Sequence, residues 1–108
     1  MVLIFGGAYQ GKMDYAQKHF KDRKIINNID KWIFELIKEG KDVLQEIEIF
    51  LTDNKNNVII LNDISCGVVP ICPDLRRWRE EVGRFMGVAA KQSDEVIRLF
   101  CGIPMRIK

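Results

Sequence analysis

The eight residues Gly6-Gly7-Ala8-Tyr9-Gln10-Gly11-Lys12-Met13 have the spacing of a loop that wraps phosphate groups, G-x-x-x-x-G-K-[ST], with one member changed. Glycines in such a loop let backbone N–H groups close on phosphate oxygens. The N-terminus of the following helix adds positive potential, and the lysine reaches the terminal phosphates. The candidate phosphate-binding set is therefore Gly6, Gly7, Ala8, Tyr9, Gln10, Gly11, Lys12 and Met13, with Lys12 also a candidate catalytic cation. Tyr9 and Gln10 fall at the apex, where they either cover phosphates or face water. The last position ordinarily holds Ser or Thr, whose hydroxyl binds Mg²⁺. Met13 has no hard oxygen to offer. The bland alternative is a glycine-rich turn from strand to helix that binds nothing.

Phosphoryl chemistry also calls for an acidic residue at the end of a neighbouring strand. The second strand ends in Asn27 and Asn28, whose neutral amides are weak ligands. The third ends in Asp63, the best remaining carboxylate. Asp63 is the second catalytic candidate and the metal candidate, placed to hold Mg²⁺ through water or to act as a base; it serves equally well as a turn or helix cap. Arg76, Arg77, Arg79 and Arg84 read first as a solvated helix face paired with Glu80 and Glu81, and second as a contact to a phosphate ligand. His19, the only histidine, reads as a surface or boundary residue rather than a catalytic one. Cys66, Cys72 and Cys101 lack metal or redox spacing and read as ordinary reduced thiols.

These residues need elements to hold them. Val2-Leu3-Ile4-Phe5 is an apolar, β-prone run before the loop, and residues 14 to 20 fit a helix after it. Lys24 to Asn27 reads as a short second strand. Asn28 or Asp30 then caps a helix whose Ile29, Trp32, Ile33, Leu36 and Ile37 share one face, and Gly40 ends it in a left-handed cap. A further helix begins near Asp42, with Val43, Leu44, Ile47, Phe50 and Leu51 inward. Val58-Ile59-Ile60-Leu61 is continuously apolar, as strands covered on both faces are. Asp74 caps a long helix to about Lys91 with Leu75, Trp78, Val82, Phe85, Met86 and Ala89 inward. Gly83 and Gly87 on that helix point to a close packing contact, and together with Trp78 to a possible subunit surface. Residues 95 to 100 form a strand, Cys101-Gly102 a turn, and residues 103 to 107 a last strand.

Alternation of strands and helices gives an α/β fold: a mostly parallel sheet of about five short strands, helices on both faces, and an antiparallel C-terminal edge strand. Ligands on such sheets bind beyond the carboxyl ends of the strands. The loop, Asn27-Asn28 and Asn62-Asp63 all fall at carboxyl ends, so the topology converges them. At 108 residues the chain makes one domain. A composition of 47 % hydrophobic and 30 % charged residues is that of a globular protein, and a formal charge of +2 gives no reason to expect nucleic acid or membrane partners. No apolar run has the length of a membrane span, and no secretory signal is legible, so a cytoplasmic location is expected.

Several stretches resemble one family, in family order over most of the chain. Gly6 to Lys12 is similar to its G-G-A-R-S-G-K, and Asn28-Ile29-Asp30-Lys31-Trp32 to its D-C-L-T-L-W region. Asn62-Asp63-Ile64-Ser65-Cys66-Gly67-Val68-Val69-Pro70 resembles N-E-V-G-x-G-I-V-P, and Leu75 to Arg84 resembles an arginine-rich R-x-F-R-D-x-x-G stretch. Ser93-Asp94-Glu95-Val96 is similar to A-D-E-V, and Cys101-Gly102-Ile103-Pro104-Met105-Arg106-Ile107-Lys108 to S-G-I-P-x-x-I-K. The family is adenosylcobinamide kinase/adenosylcobinamide-phosphate guanylyltransferase, of cobalamin biosynthesis.

The resemblance implies a P-loop α/β fold and ATP- or GTP-dependent phosphorylation of the aminopropanol hydroxyl of a corrinoid, adenosylcobinamide. It further implies guanylyl transfer through a covalent histidine and a ring-like homo-oligomer. The chain departs from the pattern where the metal is held. Met13 replaces the loop Ser/Thr, Asn27 the acid before the tryptophan helix, and Asp63 the Glu of N-E-V-G. Family members are longer between the first helix and Lys24, and that segment carries the histidine that accepts GMP; His19 lies before the gap and does not inherit the role. Two expectations follow: a nucleotide-binding protein with kinase-type chemistry and no guanylyl transfer, or a non-catalytic relative that binds nucleotide, corrinoid or another protein.

Overall fold

The computed structural model describes residues 1 to 7, 10 to 64 and 72 to 108. The expectations placed on Ala8, Tyr9 and the stretch from Ser65 to Pro70, Cys66 included, lie outside the described residues. The described elements run β1 (Val2–Gly6), α1 (Lys12–His19), β2 (Ile25–Ile26), α2 (Ile29–Lys38), α3 (Val43–Asp53), β3 (Val58–Asn62), α4 (Pro73–Gln92), β4 (Glu95–Phe100) and β5 (Ile103–Arg106). One five-stranded sheet has the order β2-β3-β1-β4-β5. The pairs β1–β3, β1–β4 and β2–β3 are parallel, and β4–β5 is antiparallel. The expected α/β architecture is the observed one.

The apolar strand runs explain the layering. Successive side chains point to opposite faces, so β1 sends Leu3 to one side and Val2 and Ile4 to the other, and β3 divides in the same way. On the first face Leu3, Ile59, Leu61 and Val96 pack against α2, α3 and α4 through Ile33, Ile47, Val82 and Phe85. On the second face Val2, Ile4, Val58, Ile60, Ile97 and Leu99 pack under Ala16 of α1, with Tyr15 and Phe20 partly buried beside them. Helices therefore cover both faces, unequally. Among the described residues no helix is long and apolar enough to cross a membrane.

Helix ends follow local chemistry. α2 closes in a Schellman arrangement: Gly40 has φ 70°, its N–H donates to the Ile37 carbonyl, and the Lys41 N–H donates to Leu36. Asp42 caps α3 by accepting the Gln45 N–H at 3.2 Å. Two expected caps change. Asp74 is already inside α4, with Cys72 at the cap position and Pro73 as first helical residue, where its missing N–H goes unused. Asn28 holds the cap position of α2 in a left-handed conformation without a side-chain bond, and Asp30 lies inside the first turn.

Two inward assignments and one expected contact also change. Leu44 is 52 % exposed because Val43, one residue earlier, takes the inward direction at the start of α3. Leu75 is 38 % exposed; α4 is longer than the strands it covers, so its first turn overhangs the sheet. A Cβ at Gly87 would meet open space, so that glycine marks no tight contact within the chain. Trp78, expected on an apolar face, is used internally: its indole N–H donates to the Asp30 carbonyl at 2.7 Å, and its ring lies 5.0 Å from that of Phe34.

Candidate functional site

Gly6 ends β1 between two strands. A Cβ there would overlap the Leu99 carbonyl oxygen on β4, so the residue is glycine for the sheet's sake as well as for any ligand's. Gly7 follows with room for a Cβ. Gly11 has φ +80° and stands at the N-terminus of α1, a conformation that resists side chains. β1 thus ends at Gly6 and α1 begins at Lys12, at the two ends of the motif. Gln10 fastens this turn across the sheet: its side-chain carbonyl accepts the N–H of Cys101, in the turn between β4 and β5. Of the two expected apex residues, Gln10 is therefore held by the protein itself.

Lys12 opens α1 and is only 8 % exposed. Its ammonium donates to the Gly7 carbonyl at 2.5 Å. Burial holds its pKa below the 10.5 of an ordinary lysine, and the negative charge of Asp30 opposes that shift. Asp30 is 2 % exposed. One carboxylate oxygen accepts the backbone N–H of Asn62 at 3.2 Å, tying α2 to the end of β3. Its backbone carbonyl accepts the Trp78 indole, tying α2 to α4. Asp30 therefore joins three elements behind the loop, and its negative charge favours the charged form of Lys12.

In front of this buried pair lies an open cavity of about 570 Å³. Gln10, Gly11, Lys12, Met13 and Asp14 form its α1 wall, Asn27, Asn28 and Lys31 its α2 wall, and Asn62 the end of β3. The three carboxyl ends expected to converge do so here. Asp63 follows Asn62, is half-buried, and donates its backbone N–H to the Gly6 carbonyl at 2.9 Å, extending the ladder between β1 and β3; of the two neighbours, Asn62 supplies the described wall. Met13 is 36 % exposed on that wall. His19 is not on this wall: its ring lies tilted against Tyr15, centroids 4.3 Å apart, on an adjoining cavity of about 340 Å³ that shares Gly11 and Asp14 with the first and also touches Gly102 and Pro104. Among the arginines, Arg84 pairs with Glu81 at 2.7 Å along α4, the helical-face pairing expected.

Sequence reasoning missed two residues of this site. Asp30 read only as a cap, although its spacing from Ile33 and Ile37 is that of the buried stripe of α2, where an acid must have a partner. Lys31 was not distinguished from other surface lysines; only its place beside Asn27 and Asn28 at a strand's carboxyl end pointed to it.

The metal-ligand chemistry of the wall is poor. Mg²⁺ takes hard oxygens, usually carboxylates and phosphates, in a near-octahedral shell. The wall offers a thioether at Met13, amides at Asn27, Asn28 and Asn62, a single carboxylate at Asp14, and two ammonium groups. Among the described residues no three His, Cys, Asp or Glu side chains are grouped to hold a metal ion. Among the described residues this donor set does not fit Mg²⁺ held by protein ligands.

A family model described as Cobinamide kinase / cobinamide phosphate guanyltransferase matches residues 24–107. The match begins beyond the loop and α1, so the two ends of the site are supported differently: α2 and β3 by the family match, the loop by its motif and geometry. No curated protein matches the chain.

Proposed function

The chain belongs to the cobinamide kinase / cobinamide phosphate guanyltransferase family, and from that premise we propose that it is a nucleotide-binding protein of cobalamin biosynthesis. Its loop holds the phosphates of ATP or GTP, and its chemistry is phosphoryl transfer to a corrinoid hydroxyl. The observation that carries this reading is Lys12, set at the first turn of α1 on the wall of a cavity that three strand ends share. A phosphate seated at the α1 N-terminus receives that helix's positive end, the Lys12 ammonium and the backbone of the Gly11 turn. Asp30 helps keep Lys12 charged against its burial. Mg²⁺, where present, would travel with the nucleotide phosphates rather than rest on protein ligands. Guanylyl transfer is outside this reading, because the chain is short where the family carries its GMP-accepting histidine, and the His19 ring lies against Tyr15.

A second reading, binding without transfer, is favoured by Met13 and Asn27, which stand where a kinase would keep a hydroxyl and an acid. Calorimetric titration with ATP and GTP, followed by a kinase assay on cobinamide, separates the two. Nucleotide binding that is lost in Lys12→Ala, with phosphate appearing on cobinamide, supports transfer. The same binding with no product over long incubation supports the second reading. Absence of binding to either nucleotide refutes both.

A further inference from the structure

We propose that the cavity binds nucleotide phosphates without a divalent cation, and that Lys31 supplies the positive charge such a cation would bring; this rests on the cradle being a nucleotide-phosphate site.

The first support is the pattern of what faces the cavity and what does not. Asp30 and Lys31 are adjacent in the first turn of α2 and point differently. Asp30 is 2 % exposed, with an oxygen committed to the Asn62 N–H, so its carboxylate is sealed from the cavity. Lys31 is exposed and lines the cavity. The acid at the entry to α2 is thus buried against the end of β3, and the side chain presented outward is a cation.

The second is electrostatic. Lys12 and Lys31 both line the cavity; buried Asp30 offsets part of the Lys12 charge, and exposed Lys31 adds a further positive charge that repels a dication and attracts a polyanion. Asp14 is the single carboxylate there, and it is exposed, where solvent screens it. A nucleotide carrying its own Mg²⁺ brings less net negative charge to these lysines than the free nucleotide. Among its described residues the wall recovers little of the difference by ligating the metal: Met13 gives sulfur, Gln10 and the three asparagines give neutral amides, and Asp14 gives one exposed carboxylate. Free nucleotide is the better-matched ligand. Both α1 and α2 also begin on this wall, so two sets of helix N-terminal dipoles act in the same sense.

The test is calorimetric titration of the full chain with ATP and GTP, each in Mg²⁺ and in EDTA, for wild type, Lys31→Ala, Lys31→Arg and Met13→Ser. Wild type is expected to bind at least as tightly in EDTA as in Mg²⁺. Lys31→Ala weakens binding roughly tenfold or more, the effect of losing one charge-assisted contact, and Lys31→Arg largely retains it. Met13→Ser restores an oxygen ligand and shifts the preference toward Mg²⁺. Thermal melts of Lys31→Ala matching wild type show that this exposed side chain acts on the ligand rather than the fold. Binding that requires Mg²⁺, or that survives Lys31→Ala unchanged, overturns the proposal while leaving the nucleotide reading intact. No binding in either condition overturns the nucleotide reading and this inference with it.

Discussion

On the inner wall of the cradle each functional residue is also a structural one. Gly6 lets β1 pass the Leu99 carbonyl, Lys12 is tethered to Gly7, and Asp30 pins α2 to β3 and α4. On the outer wall Met13, Asn27, Asn28 and Lys31 meet solvent, and no described hydrogen bond ties the side chains of Met13, Asn28 or Lys31 to the rest of the fold. Substitution on the inner wall disturbs the sheet, whereas substitution of Met13 or Lys31 on the outer wall chiefly changes what is bound. That contrast accounts for a site whose phosphate-side residues match the loop motif while its metal-side residues do not.

The largest test of the contrast is Gly6→Ala. The added methyl meets backbone at Leu99, which cannot swing aside, so a loss of about 3 kcal/mol is expected. Urea unfolding measures it, and a loss below about 0.5 kcal/mol would mean that β1 and β4 can part at this point.

Asp30→Asn probes the buried pair more gently, keeping the shape and removing the charge. We expect a loss on the order of 1 kcal/mol and a further fall in the Lys12 pKa, since Asp30 now raises it. The sign for stability follows from linkage. Lys12 has a folded pKa below the 10.5 it returns to on unfolding. Between those two values the unfolded chain binds more protons, so the Lys12 contribution to stability rises with pH across that window. The cost of burying its charge is fully present below the window. In Asp30→Asn the rise starts at lower pH. Urea midpoints against pH, each compared with Lys12→Met, isolate this contribution; coincident curves for the two backgrounds would remove Asp30 as the partner of Lys12.

The smallest effect belongs to the surface. Gly87 sits in the exposed middle of α4 with open space at its Cβ position, so Gly87→Ala should stabilise by about 0.5 to 1 kcal/mol. A destabilisation would instead show that this face is covered, for example by a second copy of the chain, and light scattering would then locate the cause.

Legibility in the sequence followed the range of the interaction. β1, β3 and the helices were readable because apolar period and caps are written within a few residues, as in the Ile29-Ile33-Leu36-Ile37 stripe or the Gly40 cap. The convergence of the loop, Asn27-Asn28 and Asn62 was readable because parallel strands place their carboxyl ends together. The rest depended on distant partners. Asp30 is defined by Asn62 and Trp78, 32 and 48 residues away. Gly6 read as a phosphate glycine, yet its steric need comes from Leu99. Leu75 read as buried because periodicity alone does not say where the sheet beneath a helix stops.

The position of β1 has a consequence for how the chain comes to be folded at all. β1 is the central strand, and both of its partners lie far along the chain, starting at residues 58 and 95. Made before either partner, β1 gains one edge only when β3 emerges and the other only when β4 does. The strand that ends at the centre of the sheet thus completes its pairing late, through contacts of high sequence separation that slow folding.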